Sequence, residues 1–200
     1  MVISGILTII LWSISDFLGY IFVLITVWVY YFFRDPERKI IEDVEYLVSP
    51  ADGVISAITE VNGPVELGLE SMKFTRVSIF MNIFDCHVNR SPSTGEVEDI
   101  FYKPGKFLNA SLDKASEENE RNYFKIKDKK TGDYIVVVQI AGLIARRIVT
   151  QVSKMSTVTQ GQRLGMIRFG SRVDVYYTQR KTMVKVGQNI IAGESIVART

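Results

Sequence analysis

The sequence predicts a mainly β domain, a hybrid sandwich or barrel-like fold, behind an apolar N-terminal helical segment. Three observations carry that prediction. Residues 1–33 hold a single charge, Asp16. Beyond Lys39 the apolar residues fall in short runs rich in Val, Ile, Phe and Tyr, bounded by Gly, Asn and Pro. Two late segments, 158–167 and 184–196, echo each other as strand, Gly turn, short strand and Gly turn.

The first element is the uncharged run Phe17 to Phe33, close to the length that crosses a bilayer as a helix. Trp28, Tyr30 and Tyr31 sit near its end, where aromatic belts form, and Arg34, Arg38 and Lys39 mark that end as cytoplasmic. Met1 to Ser15 is apolar as well, so one tilted span, a shallow hairpin around Asp16 and Gly19, or an interfacial anchor all fit. The run lacks the basic start and small-residue cleavage site of a signal peptide. It also lacks the polar face of a helix packed on a soluble core. The expected division is a membrane-associated helical segment, 1–33, and a β domain, 34–200. The expected location is the cell membrane, with the β domain on the cytoplasmic side.

The strands follow in order. Val54 to Val61 lies between the turn signals Asp52-Gly53 and Asn62-Gly63-Pro64. Phe74 to Phe84, Val97 to Tyr102, Tyr134 to Ile140, Met166 to Phe169 and Val173 to Tyr177 are the other β-rich runs. Ala141 to Val152 reads as the one helix of this domain. Gly105 to Asn122 reads as a polar loop, its charge run at 113–121 a solvated face. The echoing segments resemble the hammerhead hairpins of biotinyl and lipoyl carriers, but no lysine signature marks a hairpin tip. The echo therefore speaks for fold and not function.

Composition removes several function classes. With 24 basic and 22 acidic residues the net charge is +2, and no basic block suggests nucleic acid as a partner. Cys86 is the only cysteine, which excludes an intramolecular disulfide and a multi-cysteine zinc site and points to a reducing compartment. No metal is expected. His87 is the only histidine, and imidazole alone titrates unperturbed between about pH 5 and 8. Neutral proton transfer by histidine therefore has one candidate.

Four motifs stand in order: Ser49-Pro-Ala-Asp-Gly53, Asp85-Cys-His-Val-Asn-Arg-Ser-Pro92, Gly105-Lys-Phe-Leu-Asn-Ala110 with Asn119-Glu-Arg-Asn122, and Arg168-Phe-Gly-Ser-Arg-Val-Asp174. Together, from about Phe32 to the C-terminus, they resemble the phosphatidylserine decarboxylase family, in its short bacterial and archaeal branch. The resemblance implies a proenzyme that cuts its own chain between Gly170 and Ser171 and converts Ser171 to a covalent pyruvoyl group. Ser171 Oγ attacks the Gly170 carbonyl, and a residue without Cβ there admits the nucleophile. The ester loses its carboxylate by β-elimination, and the dehydroalanine left behind hydrolyses to pyruvoyl and ammonia. The products are Met1–Gly170 and a short chain beginning at position 171, held together as a heterodimer.

That carbonyl is an electron sink without an external cofactor. The implied substrate is a serine phospholipid, phosphatidylserine, whose amine condenses with it to a Schiff base before CO2 leaves. His87 is the natural donor of the replacing proton. The resemblance assigns Asp52 as the acid orienting the base in serine activation. Archaetidylserine, an ether lipid, remains an alternative substrate, and a homodimer of the processed unit is expected.

One departure qualifies the transfer. Longer members of the family carry Asp-x-His-x-x-His, and the second histidine position is Arg90 here. Either His87 serves both reactions, or cleavage relies on strain and backbone donors. Asp85 is the alternative partner, since in a strand it would share a face with His87. Arg146 and Arg147 are candidates for lipid phosphate or plain surface, as are Lys106 and Asn109; Phe169 and Ile167 read as core. A serine hydrolase on Ser171, His87 and Asp52 lacks the Gly-x-Ser-x-Gly elbow. A membrane-tethered β-sandwich binding module is the reading from another class.

Overall fold

The computed structural model describes residues 2–108, 118–143, 147–168 and 171–200. Gly170 and Phe169, Asn109 and Arg146 lie outside the described residues. The chain divides into two compact units, 1–36 and 37–200.

The first unit is a helical hairpin of α1 (Val2–Ile14) and α2 (Asp16–Phe32), broken at Ser15. Trp12 packs on Tyr20 with ring centroids 5.3 Å apart, and its Nε1–H donates to Asp16 Oδ1 at 3.1 Å. Thr8 and Thr26 bond hydroxyl to hydroxyl at 2.9 Å. Both helices nonetheless leave many large apolar side chains exposed, among them Ile3, Ile9, Phe17 and Leu24. Among the described residues no helix is long and apolar enough to cross a membrane.

The second unit is mainly β, built from three sheets whose strand pairs are antiparallel. The main sheet has eight strands: β2 (Gly53–Asn62), β3 (Lys73–Met81), β5 (Gly95–Lys103), β6 (Arg121–Asp128), β7 (Tyr134–Ala141), β9 (Thr157–Val158), β11 (Ser171–Tyr177) and β13 (Asn189–Ile190). Their spatial order is β13-β2-β3-β11-β7-β6-β5-β9. A second sheet joins β4 (Val88–Arg90), β10 (Arg163–Arg168) and β8 (Arg147–Thr150), and a third joins β1 (Tyr46–Val48), β14 (Ile196–Arg199) and β12 (Lys181–Thr182).

All three sheets supply one core. Alternation on β11 sends Val173, Val175 and Tyr177 inward, where they meet Val77, Ile79, Ile148, Ile167 and Val197. The opposite face of the same strands is also covered, by a smaller cluster of Leu67, Leu69, Phe74, Tyr123, Val136, Val138 and Tyr176. Burial on both faces is why β7 reads as a nearly unbroken apolar run, Tyr-Ile-Val-Val-Val-Gln-Ile-Ala.

The described part of the segment 141–152 is not helical. Ala141 ends β7 and Arg147–Thr150 is strand β8, paired with β10. Its Ile-Val-Thr content favours the pleated, half-buried surface that β10 offers. Likewise β3 stops at Met81, and residues 82–87 lie outside any strand, with a turn closed by Asp85 N–H on Asn82 O at 3.1 Å.

The echo seen in the sequence is kept only in part: Gly165 lies inside β10 rather than in a turn, and the two glycines that play matching parts are Gly161 and Gly193, the first of one segment and the second of the other. Ser49 and Ser91 each open a Ser-Pro turn, and the two turns cross: Val48 N–H donates to Pro92 O at 3.0 Å and Arg90 N–H to Pro50 O at 2.8 Å. Each turn then takes the amide of one echoing glycine, Gly193 on Ser49 O and Gly161 on Ser91 O, both at 2.8 Å. Both glycines have left-handed φ, 77° and 78°, and a Cβ on either would come within 2.5 Å of Ile40 Cδ1. Glycine is required at both positions by conformation and by space. This crossing fixes the residues on either side of it, Asp52 after one turn and His87 before the other.

Candidate active site

Ser171 opens β11 between the last residues of two neighbours, opposite Met81 on β3 and Ala141 on β7. It is fully buried, and its Oγ has no hydrogen-bond partner among the described residues. An unsatisfied buried hydroxyl costs about 1–3 kcal/mol, so its retention calls for a chemical reason.

His87 stands just before β4 and is also fully buried. Its carbonyl accepts from Ile167 N–H at 3.3 Å, which ties it to β10, the strand that leads towards Ser171. Its Nδ1 lies 3.0 Å from the carbonyl oxygen of Asp85. A carbonyl only accepts, so Nδ1 carries the proton and the neutral ring presents Nε2 as its basic atom. The Asp85 carboxylate does other work: Oδ2 accepts from Asn82 N–H at 2.8 Å and closes the turn. Asp85 and His87 both lie outside any strand, so the shared strand face expected for them does not form.

Asp52 is committed through both oxygens. Oδ2 pairs with Arg38 Nη2 at 2.7 Å, and Oδ1 accepts from Ala192 N–H at 2.8 Å. Burial would lower the Arg38 pKa, but Asp52 and the Cys86 thiol outweigh it and hold it above the ordinary value. Arg38 thus connects the arm after the helices, the Ser49–Gly53 turn and the residue preceding His87. Arg90, at the second histidine position, is buried and donates from Nη1 to Gly161 O at 3.1 Å. It clamps the glycine turn.

A buried polar chain runs beside Ser171; Asn89 and Asn122 stand in two of the sequence motifs, but Gln139, which joins them, stands in none. Asn122 Nδ2 donates to Gln139 Oε1 (3.2 Å), Gln139 Nε2 to Asn89 Oδ1 (2.8 Å), and Asn89 Nδ2 to Met81 Sδ (3.7 Å), the residue opposite Ser171. The signal for Gln139 is an amide inside an apolar strand: it interrupts β7 at an inward position. Asn119 closes the other side, with Nδ2 donating to Ala141 O at 2.8 Å and to Leu108 O at 2.9 Å. On the opposite face of β11, Arg172 grips Asp174 through Nε (2.6 Å) and Nη2 (3.0 Å), and Nη2 also reaches Ser78 Oγ. Burial, and then Asp174, pushes the Tyr176 hydroxyl up to about 12. Lys106 pairs with Glu118 on the surface at 2.7 Å.

The arrangement offers a buried hydroxyl without a partner among the described residues at a strand start, and, six residues beyond Met81 opposite it, an imidazole whose Nδ1 faces a carbonyl. It suits acyl chemistry on the chain's own backbone followed by proton transfer.

Comparison with known proteins agrees with this chemistry. The family model for phosphatidylserine decarboxylase matches residues 25–198. A phosphatidylserine decarboxylase proenzyme of Pelagibacter ubique is 61% identical over 197 residues, covering 98% of this chain and 91% of that protein. Proteins of the same name from Ruegeria pomeroyi and Cereibacter sphaeroides are each 52% identical, covering 96% of this chain and 88% and 82% of theirs.

Proposed function

The chain belongs to the phosphatidylserine decarboxylase family, and from that premise we infer that it removes the headgroup carboxylate of phosphatidylserine to give phosphatidylethanolamine. The observation that carries this reading is identity above half over nearly the whole chain, with proteins all named for this lipid. The word proenzyme in their names accords with self-cleavage at Gly170–Ser171.

The residues present fit a pyruvoyl group formed from Ser171. Its buried Oγ has no other engagement among the described residues, and the chain's only imidazole follows six residues after Met81, the residue opposite Ser171. Ser171 Oγ attacks the Gly170 carbonyl as His87 Nε2 takes the hydroxyl proton; the peptide C–N bond breaks and the amine of Ser171 is freed. Loss of the Ser171 α-proton then breaks the Cβ–Oγ bond and releases Gly170 as a carboxylate. The enamine left at position 171 takes up water and loses ammonia. When formed, the group supplies a carbonyl that accepts the electron pair released as CO2 departs.

His87 acts twice in this reading. It removes the serine proton before cleavage, and it delivers the proton that replaces CO2 on the substrate carbon. Asp52 supports it at one remove, by holding Arg38 against the Cys86–His87 segment. The processed unit is a heterodimer of its two chains and associates further as a dimer. The helical hairpin, 1–33, is its membrane-associated segment, with the catalytic domain, 34–200, on the cytoplasmic side. The exposed apolar faces of α1 and α2 support that placement, as do Arg34, Arg38 and Lys39 after them.

The reading is tested by incubating purified protein with phosphatidylserine vesicles and following CO2 and phosphatidylethanolamine. Both form in equal amounts with wild type and neither with Ser171→Ala. Absence of both products with wild type contradicts it.

A further inference from the structure

The strand ends around Ser171 carry large exposed apolar side chains on separate loops. Three residues beyond Met81, Phe84 is 58% exposed; two residues beyond Ala141, Leu143 is 68% exposed. Phe107 joins them at 37%, because the bridge between Lys106 and Asn119 and the bond from Asn119 to Ala141 O bring its segment to the same sheet end. Single exposed apolar residues are ordinary, but three on loops that leave the same sheet end call for an explanation.

Cations accompany them. Arg168 and Arg147 stand directly opposite each other in the β10–β8 register, and both are exposed. Side chains opposite in an antiparallel pair share a face, and like charges there repel. Neither forms an ion pair among the described residues. Glu120 holds the pair close to the site: its carbonyl accepts from Ala141 N–H at 3.0 Å and its Oε1 from Ile148 N–H at 3.3 Å. Arg168 itself lies within three residues, at most about 11 Å of extended chain, of Ser171. An anion between the two guanidinium groups would relieve the repulsion, and a phosphodiester matches them in charge and geometry.

We propose that this end of the β domain docks on an anionic phospholipid bilayer, with Phe84, Phe107 and Leu143 entering the boundary between headgroups and acyl chains and Arg147 and Arg168 taking headgroup phosphates. The proposal rests on the phosphatidylserine reading, which requires Ser171 to meet a lipid at its headgroup. Apolar side chains flanked by basic ones are the general signature of interfacial binding.

The test compares two substrates in the full-length protein: phosphatidylserine in phosphatidylglycerol-containing vesicles, and monomeric dihexanoyl phosphatidylserine. The quantity read is the ratio of the two rates. It falls at least tenfold in the Phe84→Ser/Leu143→Ser double variant and in Arg147→Gln, and the Arg147 variant also loses its dependence on phosphatidylglycerol content. An unchanged ratio overturns the proposal. So does an equal fall on both substrates, which places the residues in the site itself, and so does a lost dimer with an unchanged ratio, which assigns the surface to a second copy. Co-sedimentation with the same vesicles separates the two readings. A wild type inactive on both substrates that still binds vesicles through these residues overturns the substrate and upholds the docking surface.

Discussion

The carbonyl oxygen of Asp85 lies 3.0 Å from Nδ1 of His87 and fixes which ring nitrogen is basic. The orienting group in this site is a main-chain carbonyl two residues away, and the carboxylates of the motif serve the loops that hold it. A backbone acceptor survives side-chain replacement at its own position. Asp85→Asn should therefore keep decarboxylation within about tenfold, whereas His87→Ala should lose at least about a hundredfold, the usual scale of general acid–base catalysis. His87→Ala should also slow self-cleavage, read as precursor persisting on a gel. Normal cleavage in that variant would confine His87 to the second reaction.

Asp52 and Arg38 act as one unit. Each of Asp52→Asn and Arg38→Gln should cost about 2 kcal/mol in urea unfolding, because each leaves a largely buried partner unsatisfied. A double-mutant cycle should show coupling of about 1 kcal/mol or more, in stability and in cleavage rate together. Additive effects would mean that Asp52 reaches the site by another route.

Much of this architecture was legible, and the misses have physical causes. The strands β2, β3, β5, β7 and β11 follow from runs rich in β-branched and aromatic residues between turn residues, which are local signals. Residues 141–152 misled because their apolar content carries no period long enough to separate a helix from two short strands. Strand β6 was hidden by the charges within it, Arg121, Lys125 and Lys127, of which Lys125 pairs with Glu98 at 3.4 Å. Motif order singled out Ser171 and His87 as candidates, and the structure buries both. The links from Asp52 to Arg38 and Ala192 and from Asn89 to Gln139 join residues far apart in sequence, and no local pattern announces them.

The buried pair of Arg172 and Asp174, both 2% exposed or less, is a strong constraint on β11. Asp174→Asn should destabilise by about 3–5 kcal/mol, since it strands a buried guanidinium. Replacing both residues with Met and Leu should recover most of that loss. Stability of the double variant as low as that of Asp174→Asn would show that the pair is valued for more than mutual neutralisation.

Tyr176 gives a dependence on alkaline pH. Its folded pKa is raised to about 12, from an ordinary value near 10, so between those values the unfolded state binds fewer protons than the native one. Stability therefore falls as pH rises from about 10 to 12. Tyr176→Phe should show a shallower decline over that window, by about 1–2 kcal/mol in total. Parallel declines in the two proteins would show that the phenol titrates normally.

The central claim is that Ser171 becomes the reactive carbonyl, and the intact mass of the purified protein tests it most directly. The account predicts two chains, Met1–Gly170 and a short one beginning at position 171. The short chain is lighter by one ammonia than the same segment with an N-terminal serine, and it is blocked to N-terminal sequencing. A single unbroken chain with an unmodified Ser171, in protein that decarboxylates phosphatidylserine, would contradict it.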